Sequence, residues 1–236
     1  MTDIPGQLNS EERAILTSAI RDASTKPKVV LEVGTWLGGG STLHFLQALE
    51  ANGEGHLWGI EADPSIYDRM LANIRAAAPG AANRFTPLFG LSKDVIPRWL
   101  AEQGPNSEVD VVFLDGGDNP LEQIMEYRLL ADHIPMGGQL LAHDTHCRKG
   151  KWLRPYLQQL DHWRVEVHDV SSVGLLRAVK VAASPSDSSR RSAESVLRKL
   201  RLKPAELLGS ILPEPICAAI WKAMPDKLRT RMMRGR

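Results

Sequence analysis

The sequence predicts a doubly wound α/β fold built on a mostly parallel sheet. Three observations predict it. Five apolar runs of strand length alternate with helical patterns, the strand cores such as VDVVFL are almost unbroken in apolar character, and a glycine-rich turn follows the first strand directly. Alternation imposes parallel pairing through right-handed crossovers, because each connecting helix must pack back onto a twisted sheet. Strands without polar alternation fit a sheet covered on both faces.

Taken in order, the first helix is expected to begin at Asn9 or Ser10. Asn9 and Glu12 have capping-box spacing, Ile15, Leu16 and Ile20 recur helically, and Thr25-Lys26-Pro27 ends the pattern. The runs from Val29 to Val33, His56 to Ile60, Arg84 to Phe89, Val109 to Leu114 and Gly138 to Ala142 read as strands. Between them Ser41 to Ala51, Ser65 to Ala78, Asp94 to Gln103 and Leu121 to Asp132 read as helices. A further helix is expected from Trp152 to Leu160, then two closing strands, Trp163 to Asp169 and Val173 to Val181, giving seven in all. AASPSDSSRRS, residues 182–192, has linker composition, and beyond it Ala193 to Leu202, Ala205 to Leu212 and Ile216 to Met224 have helical content. The expected division is therefore a domain over 1–183 and a linker with a helical extension over 184–236.

The length of 236 residues suits one full domain and a small appendage. Only Cys147 and Cys217 are present, and the N-terminus lacks an apolar run of signal-peptide type, so a reduced, cytoplasmic protein is expected. No apolar run reaches the ~18 residues a spanning helix needs. The net charge of +1 conceals an asymmetry: from Ser184 onward twelve Lys or Arg face five Asp or Glu, which leaves the first 183 residues acidic. That tail fits packing against its own domain or a second copy better than a membrane surface, although RRSAESVLRKLRLK has the basic amphipathic character of surface binders. With one aromatic and no reader motif, it gives no sign of nucleic-acid binding.

In LEVGTWLGGGST, residues 31–42, Gly34, Gly38, Gly39 and Gly40 permit a close ligand approach that a Cβ would forbid. A dinucleotide fingerprint would need a second glycine where Trp36 stands, and no Gly-Lys-Ser/Thr follows for a phosphate loop. Glu32 at the strand end suits a ligand bearing a cationic amino-acid group better than a pyrophosphate. The second strand ends in GIEADP, where a carboxylate can accept both hydroxyls of a ribose; Glu61 is the choice, with Asp63 either a second ribose ligand or the cap of the next helix.

These runs, with FGLSKDVIP at 89–97, VDVVFLDGG at 109–117 and GGQLLAHDT at 137–145, resemble the successive motifs of class I O-methyltransferases, a Rossmann-like family. They are most similar to the catechol branch and the related macrocin-type bacterial enzymes, over about residues 28–181. The resemblance implies S-adenosylmethionine as cofactor, with Glu32, Gly34 and Gly38 around its methionine portion, Glu61 on its ribose, and Gly90, Ser92 and Lys93 at its adenine edge. Thr35, Ser41 and Asp115 complete the implied cofactor-binding set.

Asp115 and Asp144 follow the fourth and fifth strands, on the rim where the cofactor is expected. In the resembling enzymes that rim holds magnesium, which lowers the pKa of the acceptor hydroxyl. This chain departs from them: His143-Asp144 replaces an acidic or Asp-Asn pair, and Asp118 stands where a catechol-type lysine would follow Asp115. Two mechanisms fit. In one, Asp115, Asp144 and His143 hold Mg²⁺ or a transition ion such as Mn²⁺. In the other, His143 or His146 takes the hydroxyl proton directly, with an ordinary pKa near ~6.5. The expected acceptor is a small hydroxylated molecule, phenolic or sugar-like, and the expected assembly a homo-oligomer. The rival readings are methylation of an amine or protein by the same fold, and a non-catalytic cofactor-binding module.

Overall fold

The computed structural model describes residues 4–201, 212 and 214–225. In chain order the elements are α1 (Ser10–Arg21), β1 (Val29–Val33), α2 (Thr42–Asn52), β2 (His56–Glu61), α3 (Pro64–Ala77), β3 (Phe85–Phe89), α4 (Ser92–Gln103) and β4 (Val111–Leu114). Then follow α5 (Pro120–Leu130), β5 (Gln139–His143), α6 (Leu153–Leu157), β6 (Trp163–His168), β7 (Leu175–Lys180), α7 (Asp187–Arg201) and α8 (Glu214–Ala223). The sheet has seven strands in the order β3-β2-β1-β4-β5-β7-β6. The first five are parallel, and β7 runs antiparallel to both β5 and β6.

The central strands are covered on both faces because their side chains alternate. Val111 and Phe113 of β4 join Phe45, Leu49, Met70 and Leu16 under α1–α3, while Val112 and Leu114 join Trp99, Tyr127, Trp152 and Leu157 under α4–α6. Pro87 is tolerated in β3 because that strand is an edge.

The boundaries differ from the sequence reading where capping decides. The Asn9–Glu12 capping box forms as expected, and α1 then ends at Arg21, before the Thr25-Lys26-Pro27 run. Asp63 caps α3, accepting from the backbone N–H groups of Ser65 and Ile66. Ser92 is the first residue of α4 and caps nothing; its hydroxyl is used elsewhere. The linker composition of 182–192 misleads in its second half, because α7 already begins at Asp187. Its start is pinned by Asp161, which accepts from Ser186 N at 3.0 Å and Ser189 Oγ at 2.8 Å. Ala193 and Leu197 of α7 are buried in the main core, and Glu194 binds Arg128 and Tyr156 at 2.7 and 2.8 Å. This much of the basic tail therefore packs against its own domain. The helix expected over 205–212 lies, apart from Leu212, outside the described residues. Among those residues no helix is long and apolar enough to cross a membrane.

Candidate active site

Between β1 and β4 the strand order reverses direction, which opens a crevice at their carboxyl ends. A cavity of about 360 Å³ lies there, walled by Gly34 after β1, Glu61 and Ala62 at the end of β2, the Gly90–Lys93 turn, the Gly116–Asp118 turn and one face of α5. Gly34 is obligatory: its φ is +90°, and an added Cβ would lie 2.6 Å from Gly116 N. Gly34 donates its N–H to Ile60 O at 2.9 Å, locking the turn against β2.

Glu61 keeps its carboxylate in the cavity wall. Oε2 accepts the N–H of Trp36 at 2.9 Å, and Oε1 those of Ala62 and Asp63 at 2.9 and 3.0 Å. Trp36 thus enters the left-handed region, φ 45°, with its N–H on Glu61. Glu32 behaves differently. It is fully buried, its carboxylate binds the hydroxyls of Ser41 and, at 2.8 Å, Thr42, and burial pushes its pKa up to about 8. Glu32 and Ser41 therefore brace the start of α2 and do not line the cavity. Gly34, Glu61, Gly90, Ser92 and Lys93 do line it; Thr35, Gly38 and Asp115 sit around it without entering its wall.

Sequence reasoning missed the α5 side. Glu122 and Glu126, with Asp118 just ahead of the helix, recur every four residues and share one face over the cavity. Glu126 is 1% exposed; Ser92 donates to its Oε1 at 2.6 Å, while Oε2 has no hydrogen-bond partner among the described residues. Burial pushes its carboxyl up to about 7 despite the Ser92 bond, and the neighbouring Glu122 charge adds to the rise. The four-residue spacing is the sequence signal by which this face could have been found.

Beside the cavity lies a cluster of charges. Asp115 follows β4, His143 ends β5, and Asp144 follows it with φ 59°, a strained conformation for a non-glycine residue. His143 Nδ1 lies 3.2 Å from Asp115 Oδ1 and 3.4 Å from Asp144 Oδ1, and its Nε2 lies 3.1 Å from Glu12 Oε1. Burial alone would discharge this imidazole, but the Asp115 hydrogen bond and the Asp115 and Asp144 charges carry its pKa up to about 9. Lys149 Nζ bridges Asp115 Oδ1 at 2.7 Å and Asp144 Oδ2 at 2.9 Å. His146 stands apart, with Nε2 2.7 Å from Asp169 and Nδ1 3.1 Å from an Arg154 guanidinium nitrogen.

Asp115, His143 and Asp144 bring candidate ligand atoms within 4.8 Å of one another, which by distance alone suits a metal ion. The neighbours do not fit one. The oxygens such an ion would use already face the Lys149 ammonium and the His143 ring, and a divalent cation among them would meet a fixed positive charge.

Known proteins share this fold. Residues 31–145 match a family described as a methyltransferase domain. Among solved structures, a provisionally assigned O-methyltransferase from Klebsiella pneumoniae is 20% identical, with a TM-score of 0.60 over 76% of this chain and 84% of that one. An O-methyltransferase from Bacillus cereus, solved with S-adenosylhomocysteine, is 18% identical, with a TM-score of 0.58 over 74% and 82%. An S-adenosylhomocysteine-bound methyltransferase of Podospora anserina is 15% identical, with a TM-score of 0.59 over 75% and 80%. No curated protein matches the sequence. The matched stretch runs from β1 to the rim after β5, so that residues 31–145 are similar to a methyltransferase domain and the chain has the fold of these methyltransferase structures.

Proposed function

We propose that the protein transfers the methyl group of S-adenosylmethionine to a hydroxyl of a small molecule, phenolic or sugar-like. The observation that carries this reading is the cavity at the β1–β4 crevice with the Glu61 carboxylate in its wall. S-adenosylmethionine supplies an electrophilic methyl group on a sulfonium centre. The residues fit it: Gly34 lets the turn after β1 pack against the Asp115–Gly116 backbone at the cavity edge, where a Cβ would collide, and Glu61 offers oxygens to a ribose. Gly90, Ser92 and Lys93 stand where an adenine edge would lie, and Glu126 adds an acceptor oxygen beside Ser92. Glu32 and Ser41 hold the glycine turn in place from behind.

The acceptor belongs on the rim formed by Asp115, His143, Asp144 and His146. Both ring nitrogens of His143 face carboxylates and both of His146 are engaged by Asp169 and Arg154, so the histidines orient the rim and the Asp144 carboxylate, the more exposed of the two aspartates, is the group left to receive the hydroxyl proton. The same reading takes the protein as cytoplasmic and homo-oligomeric, its two distant cysteines suiting a reducing compartment. The test is to incubate the purified chain with S-adenosylmethionine and a panel of hydroxylated and amino acceptors. S-adenosylhomocysteine should form only with hydroxylated ones, and Glu61→Ala should lower cofactor affinity ten- to a hundredfold, the ~1.5–3 kcal/mol of a charge-assisted contact. Turnover with amines alone, or cofactor retention without product, would displace the proposal.

A further inference from the structure

The pattern that this sequence resembles has a lysine at the position of Asp118, and the fold brings a lysine to the same rim from another place. Lys149 lies in the loop between β5 and α6, five residues beyond Asp144. The loop turns back there because Gly150 lies against it: a Cβ at that position would stand 2.5 Å from Asp144 O and 2.5 Å from Thr145 Cα. The Lys149 side chain is only 9% exposed.

Its ammonium has three protons and meets three oxygens: Asp115 Oδ1 at 2.7 Å, Asp115 O at 2.9 Å and Asp144 Oδ2 at 2.9 Å. Asp115 Oδ1 and Asp144 Oδ1 also face His143 Nδ1. Both aspartates that a hard cation would draw on are thus committed to cations of the protein itself. A metal ion coordinates such oxygens at about 2.0–2.6 Å and would have to expel the ammonium to do so.

We propose that Lys149 is a built-in cation that fills the metal position of this rim and makes the site independent of divalent ions. With all three protons used, Lys149 has none to give an acceptor; it is a positioning residue that holds Asp115 and Asp144 at fixed places. The consequence for catalysis rests on the methyltransferase reading above. An acceptor bound here reaches the methyl group without chelating an ion, so a lone hydroxyl suffices and a pair of adjacent oxygens is not required.

The test is a Mn²⁺ titration of the full chain, followed by the electron paramagnetic resonance of free Mn²⁺. The wild type, Lys149→Met and Lys149→Met with Asp144→Asn are compared, each first shown to keep a cooperative thermal transition. The wild type should take up no Mn²⁺ below about 1 mM. Lys149→Met should bind one ion at least tenfold more tightly, and the added Asp144→Asn should abolish that gain. A merely structural lysine would not uncover a metal site on removal. Stoichiometric micromolar uptake by the wild type that Asp144→Asn removes would overturn the proposal, as would a folded Lys149→Met chain that binds no better than wild type. If Lys149→Met does not fold, Lys149→Gln replaces it, and the wild-type titration is decisive by itself. S-adenosylhomocysteine binding in the same wild-type preparation separates the two readings: its absence defeats the methyltransferase proposal and leaves the Mn²⁺ result standing.

Discussion

Three glutamates around the crevice do different work because their surroundings differ. Glu61 ends a strand at the cavity and keeps its oxygens on backbone N–H groups; Glu32, two residues before Gly34, is sealed behind the turn; Glu126 is buried with one oxygen unpartnered among the described residues. Glu61 was legible because a strand followed by Glu-Ala-Asp-Pro fixes both its place and its direction. The sequence put Glu32 around the ligand; only the fold shows Ser41 and Thr42 closing on it behind the turn, out of the cavity wall. Lys149 carried no signal at all: a lysine in a loop has no periodicity, and its partner Asp115 is 34 residues away. Glu126 yields a pH prediction. Its carboxyl rises from 4.5 to about 7, so the stability it contributes is complete below pH 4.5 and is lost as pH rises through about 7. The groups facing it are Ser92 from α4, Glu122 from its own helix and Lys149 from the β5–α6 loop. Glu126→Gln should remove that slope, changing the stability difference between variant and wild type by on the order of 3 kcal/mol between pH 4.5 and 8, in favour of the variant at the alkaline end. Urea denaturation at both pH values checks it, and a difference independent of pH contradicts it.

At the scale of elements, the five parallel strands and the helices between them were legible to within a few residues, the central β1, β4 and β5 most clearly because they are buried and have little polar alternation to blur them. The closing pair was legible as two strands but not in its order: that β7 inserts between β5 and β6 depends on long-range pairing. The start of α7 was hidden by SPSDSSRRS, whose serines look like linker until Asp161 caps them. We propose that residues 1–183 form the folding unit and that α7 braces it. Truncation after Ala183 uncovers the surface that Ala193 and Leu197 bury, a loss of roughly 2–4 kcal/mol. The shortened chain should still melt cooperatively and bind the cofactor, with its midpoint lowered by about 5–15 °C. Truncation after Arg201 should leave the midpoint within a few degrees of wild type. Calorimetric scans of both decide the matter, and loss of the cooperative transition at 183 would move the boundary beyond α7.

For the whole molecule, one topological fact organises the rest. The reversal of strand order between β1 and β4 makes a single crevice, and the glycine turn, Glu61, the α5 carboxylates and the charged rim all gather around it. The N-terminal helix joins them through Glu12, which spans 131 residues of sequence to reach His143. The sequence marked Glu12 only as a capping residue, because a contact of that span depends on the finished fold. The central claim is that this crevice holds a nucleoside bearing an amino acid, its ribose on Glu61. Isothermal calorimetry of the purified full chain tests it most directly, with S-adenosylhomocysteine and then NAD titrated under the same conditions. The account predicts one S-adenosylhomocysteine bound per chain and no heat of binding from NAD; NAD binding, or no uptake of S-adenosylhomocysteine, would contradict it.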